Sequence, residues 1–129
     1  MLAGPKVRDV LSTVCDADLS NDAFGWLTGH EVSVSGHTVR LLRVNYVGEL
    51  GWEIHAPMAC LSAIYDTLWQ TGKSSGIADF GAYAMNSLRL EKAYKGWGTE
   101  LTNEITMLEA DMERFINWDN ADFMGHAAT

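Results

Sequence analysis

The sequence contains little cysteine and little positive charge, and each shortage argues against a class of protein. Its two cysteines, Cys15 and Cys60, lie far apart and form no Cys-x-x-Cys or Cys/His ligand spacing. We therefore predict no zinc site, and two buried thiols in a reducing compartment. Nine Lys and Arg residues against 17 Asp and Glu give a net charge of -8, so a nucleic-acid-binding surface is not expected. The sequence contains no stretch of about 20 predominantly apolar residues, so we predict no membrane-spanning helix.

Three segments with helical spacing of apolar residues predict helices. The chain has 129 residues, of which 47% are hydrophobic, and this is enough apolar surface for one domain or most of one. The first helix is predicted for residues 5–14 and the second for residues 61–68, closed by Gly72 and Lys73. The third is predicted for residues 81–94, with Asp79 as its N-cap. Because apolar residues lie on more than one face of this third helix, we expect it to be wedged between other elements.

Three further segments predict consecutive antiparallel strands. Residues 31–35 alternate polar and apolar side chains, and residues 38–47 are so rich in Val and Leu that we expect a strand buried on both faces. Residues 52–56 form a return strand that Pro57 ends. After Gly98 the pattern weakens, although one short helical element is indicated by Leu108, Met112 and Phe115. The predicted fold class is α+β, with helices packed on a small, mostly antiparallel sheet.

The turn Gly48-Glu49-Leu50-Gly51 sets a predicted register between the second and third strands. If Glu49 and Leu50 are its two loop residues, Tyr46 lies directly opposite Glu53. Opposed residues share one face of a sheet, with Cβ atoms about 5 Å apart. Glu-Leu is not a favoured pair for a two-residue hairpin, and a bulge at either glycine would shift the register. The prediction is a phenol beside a carboxylate, with the bulge as the alternative.

Two charged side chains have both a structural and a functional interpretation. Glu53 is either solvated or paired with Arg40 or Arg43, or it accepts two parallel N–H groups of a ligand in a bidentate, charge-assisted arrangement. Arg89, in the third predicted helix, is by pattern alone an ordinary residue of a surface or interhelical salt bridge. The four histidines show no metal-ligand spacing and are interpreted as structural or exposed. No catalytic acid, base or nucleophile is evident.

Several short motifs follow one another in an order that resembles a known family. Over residues 2–125 the sequence is similar to the folate-binding domain of the glycine-cleavage T-protein (aminomethyltransferase) superfamily. The Lys92-Ala93-Tyr94 ending is similar to the dimethylglycine and sarcosine dehydrogenase branch. Met85-Asn86 stands where aminomethyltransferases have an Arg-Asp pair, which removes one expected folate contact. The motifs that carry the resemblance are Ala3-Gly4-Pro5-Lys6, Asn45-Tyr46-Val47-Gly48-Glu49-Leu50-Gly51-Trp52-Glu53-Ile54, Asn86-Ser87-Leu88-Arg89-Leu90-Glu91-Lys92, Gly96-Trp97-Gly98-Thr99-Glu100-Leu101 and Leu108-Glu109-Ala110.

The resemblance implies a binding site for tetrahydrofolate. Tyr46 and Glu53 match the tyrosine and the glutamate that hold the pterin ring in this superfamily. The pterin edge, with its ring N–H and 2-amino group, is a ligand with two parallel donors. Glu49, Arg89 and Trp97 match other motif positions, and the resemblance includes them among the cofactor-binding residues.

The same resemblance implies which parts of an enzyme this chain does not contain. In the superfamily an aspartate close to the reacting folate nitrogen precedes the Gly-Pro motif, and a barrel-like domain follows; we expect neither in residues 1–129. No Gly-x-Gly-x-x-Gly opens a βαβ unit, so FAD is expected only in another domain. We expect a partial domain that is inactive alone and self-associates through exposed apolar surface. The function that the resemblance implies is that of a tetrahydrofolate-dependent one-carbon-transfer domain of the dimethylglycine/sarcosine dehydrogenase type. The alternatives are part of a glycine-cleavage aminomethyltransferase and a non-catalytic folate-fold binding module. The expected compartment is the cytoplasm, or the mitochondrial matrix in a eukaryote.

Overall fold

The computed structural model describes residues 1–120 and 122–128, and the chain forms two compact units, residues 1–92 and 93–129. The first unit contains a four-stranded sheet and three α-helices. The described residues of the second unit form turns and two short 3₁₀ helices, Glu113–Phe115 and His126–Ala128. None of the helices in the described ranges is long and apolar enough to cross a membrane.

Four antiparallel strands form the sheet, in the spatial order β1-β4-β3-β2. β1 is Leu2–Ala3, β2 is Gly29–Val34, β3 is His37–Leu42 and β4 is Gly51–His55. The three predicted strands are therefore present and antiparallel, whereas β1 was not predicted. β1 can approach β4 because Gly51 lacks a side chain. A Cβ at that position would stand 2.9 Å from the Cβ of Ala3 and 3.0 Å from the carbonyl oxygen of Leu2.

Only one face of the sheet is buried. Along β3, Val39 and Leu41 are 2% and 0% exposed, whereas Thr38 and Arg40 are exposed. The prediction that this strand is buried on both faces and runs to residue 47 is therefore wrong. Alternation of polar and apolar residues is the pattern of an antiparallel strand with one solvated face. The abundance of Val and Leu in the segment concealed that alternation.

Two helices cover the apolar face of the sheet. α1 is Val7–Ser12 and α2 is Met58–Gly72, which confirms the first two predicted helices. Their apolar stripes arise because Val7 and Leu11, like Ile64 and Leu68, lie four residues apart on one helix face. The core that these helices close also contains Leu19, Phe24, Val34, Val39, Leu41 and Trp52.

The third helix, α3 (Ala82–Glu91), is present but is not wedged between other elements. Tyr83 and Leu90 are 95% and 54% exposed, and Arg89 is the buried residue of this helix. Apolar residues on several faces thus predicted the helix correctly but not its surroundings. Gly81 occupies the N-cap position that was predicted for Asp79.

Local hydrogen bonds organise the second unit. The carboxylate of Glu109 accepts from the backbone N–H of Thr106 at 2.8 Å and from its hydroxyl at 3.1 Å, and these bonds lower the pKa of Glu109. The predicted helical element over residues 108–115 is reduced to the 3₁₀ turn Glu113–Phe115. Asp111 has a φ of +56°, a left-handed conformation that interrupts a helix.

Candidate functional site

A long connection, residues 43–50, joins β3 to β4 in place of the predicted two-residue hairpin. Leu42 is the residue of β3 that lies opposite Glu53. The predicted pairing of Tyr46 with Glu53 is therefore wrong, because Tyr46 lies in the connection and outside any strand. Glu53 and Tyr46 keep their positions in the motif, but they are not cross-strand neighbours.

Arg43 explains why β3 stops pairing with β4 after Leu42. Its backbone N–H donates to the carbonyl oxygen of Thr28 at 2.9 Å, so the chain continues along the segment before β2. Its guanidinium donates to the carbonyl oxygen of Phe24 at 2.5 Å and to Oδ1 of Asn21 at 2.7 Å. The start of the connection is thus held to the rest of the first unit.

Asn45 shapes the remainder of the connection. Its Oδ1 accepts from the backbone N–H groups of Val47 and Gly48, both at 3.0 Å, and its Nδ2 donates to the carbonyl oxygen of Glu49. Asn side chains commonly stabilise turns by bonding to their own backbone in this way. That tendency was the one indication in the sequence that Asn45 shapes this turn. Tyr46, inside this turn, is 38% exposed, so its ring is accessible. Its contact with a pterin stays a prediction.

Glu49 forms an ion pair with Lys92, the residue that follows α3. Oε1 and Nζ are 3.6 Å apart, and the two side chains are 42% and 45% exposed. Gly48 permits this approach, since its φ is +71° and an added Cβ would stand 2.2 Å from Cγ of Lys92. The pair links the connection to the end of α3, although an exposed pair of this kind contributes little to stability.

Glu53 lies on the solvated face of the sheet, while its neighbour Trp52 is fully buried on the other face. The Glu53 side chain is 41% exposed, and its Oε2 is 3.0 Å from Nε2 of His55, whose side chain is 56% exposed. Its partner is therefore neither Arg40 nor Arg43, the two arginines proposed from sequence. A half-exposed carboxylate in the middle of a fixed strand is accessible to a flat ligand.

An apolar groove of about 780 Å³ lies in the first unit beside this connection. Glu49 and Met85 both line it. At its rim the hydroxyl of Tyr65 donates to Oδ2 of Asp79 at 2.8 Å, which is the observed role of the residue that was predicted to cap α3. That hydrogen bond raises the pKa of Tyr65, because ionisation would break it. The apolar side chains of the groove include Leu2, Ile54, Leu61, Ile64 and Leu68.

Arg89 and Trp97 have different environments. Arg89 is 7% exposed, and its Nε donates to Oδ1 of Asn86 at 2.8 Å, so the surface position that its pattern allowed is wrong. Trp97 belongs to the second unit, is 90% exposed and forms an isolated bridge with Leu101. The ligand-binding roles assigned to both residues stay predictions.

The two cysteines are free thiols, and both are half-buried where full burial was predicted. Burial raises the pKa of the Cys15 thiol, and the charge of Asp16 adds to this effect, so the reactive thiolate is disfavoured. Across residues 1–120 and 122–128, no three His, Cys, Asp or Glu side chains converge as metal ligands would.

Comparison with known proteins gives one family and a consistent set of relatives. Residues 1–120 match the family described as "GCVT N-terminal domain". The chain is 42% identical over 128 residues to "Dimethylglycine dehydrogenase, mitochondrial" of Homo sapiens and 41% identical over 111 residues to "Sarcosine dehydrogenase, mitochondrial" of Mus musculus. These alignments cover 98% and 86% of the chain. It is also 37% identical to an "Aminomethyltransferase" of Koribacter versatilis, in an alignment of 130 positions that covers 98% of the chain.

The chain spans only part of these relatives. It covers 15% and 12% of the two dehydrogenases and 34% of the aminomethyltransferase. Its identity to these two dehydrogenases is higher than its identity to the aminomethyltransferase, in agreement with the branch that the motifs indicated. The resemblance seen in the sequence is thus confirmed, and the chain belongs to the GCVT N-terminal domain family.

Proposed function

We propose that this chain provides the pterin-holding surface of a tetrahydrofolate-dependent one-carbon-transfer protein of the dimethylglycine and sarcosine dehydrogenase type. The observation that carries the proposal is the half-exposed carboxylate of Glu53 on the solvated face of the sheet. It stands in a chain whose relatives include two dehydrogenases and an aminomethyltransferase.

The chemistry of a carboxylate suits the pterin edge of folate. The ring N–H and the 2-amino group point the same way, and an ionised carboxylate accepts both in a bidentate, charge-assisted arrangement. Glu53 is suited to this role because β4 is held by β1 on one side and β3 on the other. Tyr46, on the connection ordered by Asn45, offers an accessible ring to flank the ligand.

In this proposal tetrahydrofolate accepts a one-carbon unit that is delivered as an imine or aminomethyl group. The roles of Glu53 and Tyr46 are to bind and orient the pterin, and we assign no residue of this chain to the chemical step. Because the chain spans at most 34% of the quoted relatives, we propose that the groups for that step, and an FAD-binding domain, belong to other parts of such an enzyme. For a eukaryotic protein we propose the mitochondrial matrix, given the names of the two dehydrogenases.

Residues 1–129 alone should bind folate weakly. A pterin held by Glu53 on an open sheet face stays in contact with water, where each polar contact is worth less than in an enclosed site. By the resemblance described above, Met85 also stands where aminomethyltransferases have an arginine, which removes one expected folate contact. We expect the affinity lost through these two effects to exceed the affinity gained from the bidentate contact.

Titration with a stable reduced folate, followed by Trp fluorescence, tests the proposal. The proteins compared are residues 1–129, the full polypeptide that the gene encodes, and the Glu53→Gln variant of each. Glu31→Gln is the matched control, because Glu31 is an exposed carboxylate on the same sheet face. Loss of the charge-assisted bonds should weaken binding by at least about tenfold. If wild type and Glu53→Gln bind the folate with equal affinity in the full polypeptide, Glu53 is not part of the binding site.

A further inference from the structure

His55 is the side chain that contacts the proposed pterin carboxylate. It lies two residues after Glu53 on β4, so the two side chains project from the same face, and Nε2 is 3.0 Å from Oε2. His55 lies directly opposite Arg40 on β3, and Arg40 lies opposite Glu31 on β2. The charged and titratable groups that face His55 on this side of the sheet are therefore Glu53, Arg40 and, one strand further, Glu31.

In this contact His55 donates and Glu53 accepts. An ionised carboxylate has no hydrogen to donate. The histidine Nε2 carries a hydrogen in the imidazolium and also in one neutral tautomer, so the bond does not require a charged ring.

The carboxylate of Glu53 can hold both His55 and a pterin. Its two oxygens offer about four lone-pair sites, and a bidentate ligand uses one site on each oxygen. The bond from His55 occupies a third site, on Oε2. The histidine thus leaves both oxygens available to the ligand, while it restricts rotation of a half-exposed side chain that would otherwise sample several orientations.

From this geometry we infer that His55 is a positioning residue, which fixes the plane of the Glu53 carboxylate for a flat ligand with two parallel N–H donors. The inference rests on the proposed function, because it acts through Glu53 alone. Its physical basis is pre-organisation: a carboxylate that already has the correct orientation loses less freedom when the ligand binds.

A double-mutant cycle on reduced-folate affinity, measured in the full polypeptide that the gene encodes, tests this inference. His55→Phe keeps an aromatic ring and removes the donor, whereas His55→Gln keeps an N–H donor at a similar distance from the backbone. We expect His55→Phe to weaken binding by about three- to tenfold, and His55→Gln to retain most of the affinity. In the Glu53→Gln background, neither His55 substitution should change the affinity for the folate further. His37→Phe, at the start of β3, is the control and should bind as wild type does.

Unchanged or increased affinity of His55→Phe would contradict the inference, and so would an equal loss in the Glu53→Gln background. Failure of the proposed function looks different, because Glu53→Gln itself would then bind as wild type does. NMR of the histidine ring nitrogens in residues 1–129 provides a check that needs no folate. Glu53→Gln should shift the His55 ring signals, and identical signals in the two proteins would overturn the inference.

Discussion

Asn45 controls the conformation of the connection that carries Tyr46 and Glu49. This one short side chain makes three hydrogen bonds to the backbone that follows it, two as acceptor and one as donor. None of these three hydrogen bonds involves a side chain that is predicted to bind the ligand. Its influence on the site is therefore exerted through the backbone, and removing it should disturb the presentation of the Tyr46 ring.

We expect Asn45→Ala to lower the free energy of unfolding by about 1–3 kcal/mol, because up to three hydrogen bonds of roughly 0.5–1.5 kcal/mol each are lost. Urea denaturation followed by Trp fluorescence measures the change. Asn103→Ala, at an exposed position of the second unit, is the control. If the two variants lose the same stability, the turn does not depend on Asn45.

Asp18 should make stability depend on pH. The backbone N–H of Ser20 and, to a smaller extent, its hydroxyl and the charge of Arg8 hold the pKa of Asp18 below the usual value of 3.8. The folded protein therefore binds fewer protons at this site than the unfolded chain. The resulting stability is present above pH 3.8 and is lost as the pH falls through the lower, folded-state pKa.

Asp18→Asn should therefore destabilise the protein at pH 7, and the difference from wild type should shrink as the pH falls below 3.8. Urea midpoints of both proteins, measured at neutral pH and under acidic conditions, test this prediction. Asp22→Asn, at an exposed position of the same segment, is the control. An Asp18→Asn deficit that is unchanged under acidic conditions would contradict the assigned cause.

At the scale of elements, periodic patterns predicted which segments are regular but not where they stop. α2 follows directly from apolar residues at helical spacing. The end of β3 could not be predicted, because it depends on bonds from Arg43 to Phe24 and Asn21, which are distant in the sequence. The same limit applies to the site. The alternation along β4 placed Glu53 and His55 on one face correctly, whereas the register of Tyr46 required knowledge of how residues 43–50 fold.

Because only one face of the sheet is buried, we expect substitutions of two adjacent leucines of β3 to lower the free energy of unfolding by different amounts. Leu41 is fully buried, so Leu41→Ala should cost about 2–5 kcal/mol of unfolding free energy. Leu42 is half-buried on the solvated face, so Leu42→Ala removes less buried apolar area and should cost about 1 kcal/mol of unfolding free energy. Thermal and urea denaturation of the two variants provide the comparison. Equal, large losses would support the original expectation that both faces are buried.

At the scale of the whole molecule, the first unit has a closed core on one side of its sheet and uncovered apolar surface elsewhere. Tyr83 is 95% exposed and Leu61, in the groove, is 42% exposed. Exposed apolar patches that line a groove are typical of surfaces that bind another protein. We propose that in a solution of residues 1–129 this partner is a second copy of the chain.

Self-association should therefore increase with concentration and should bury on the order of 1,000 Å² or more in total if the contact is specific. Leu61→Lys, which places a charge in the groove, should shift the equilibrium towards monomer. Met58→Lys is the matched control, because Met58 is 84% exposed on the same helix but does not line the groove. Light scattering over a wide range of concentrations measures the mass. A strictly monomeric wild-type chain would contradict the proposal.

The most direct test of the central claim is a crystal structure of the full polypeptide that the gene encodes, with a stable reduced folate bound. We predict that the pterin ring N–H and 2-amino group each lie about 2.7–2.9 Å from an oxygen of Glu53. We also predict that Nε2 of His55 still contacts Oε2 of the same carboxylate. A pterin that occupies the apolar groove beside Met85, with the Glu53 carboxylate free of the ligand, would show that Glu53 does not hold the pterin.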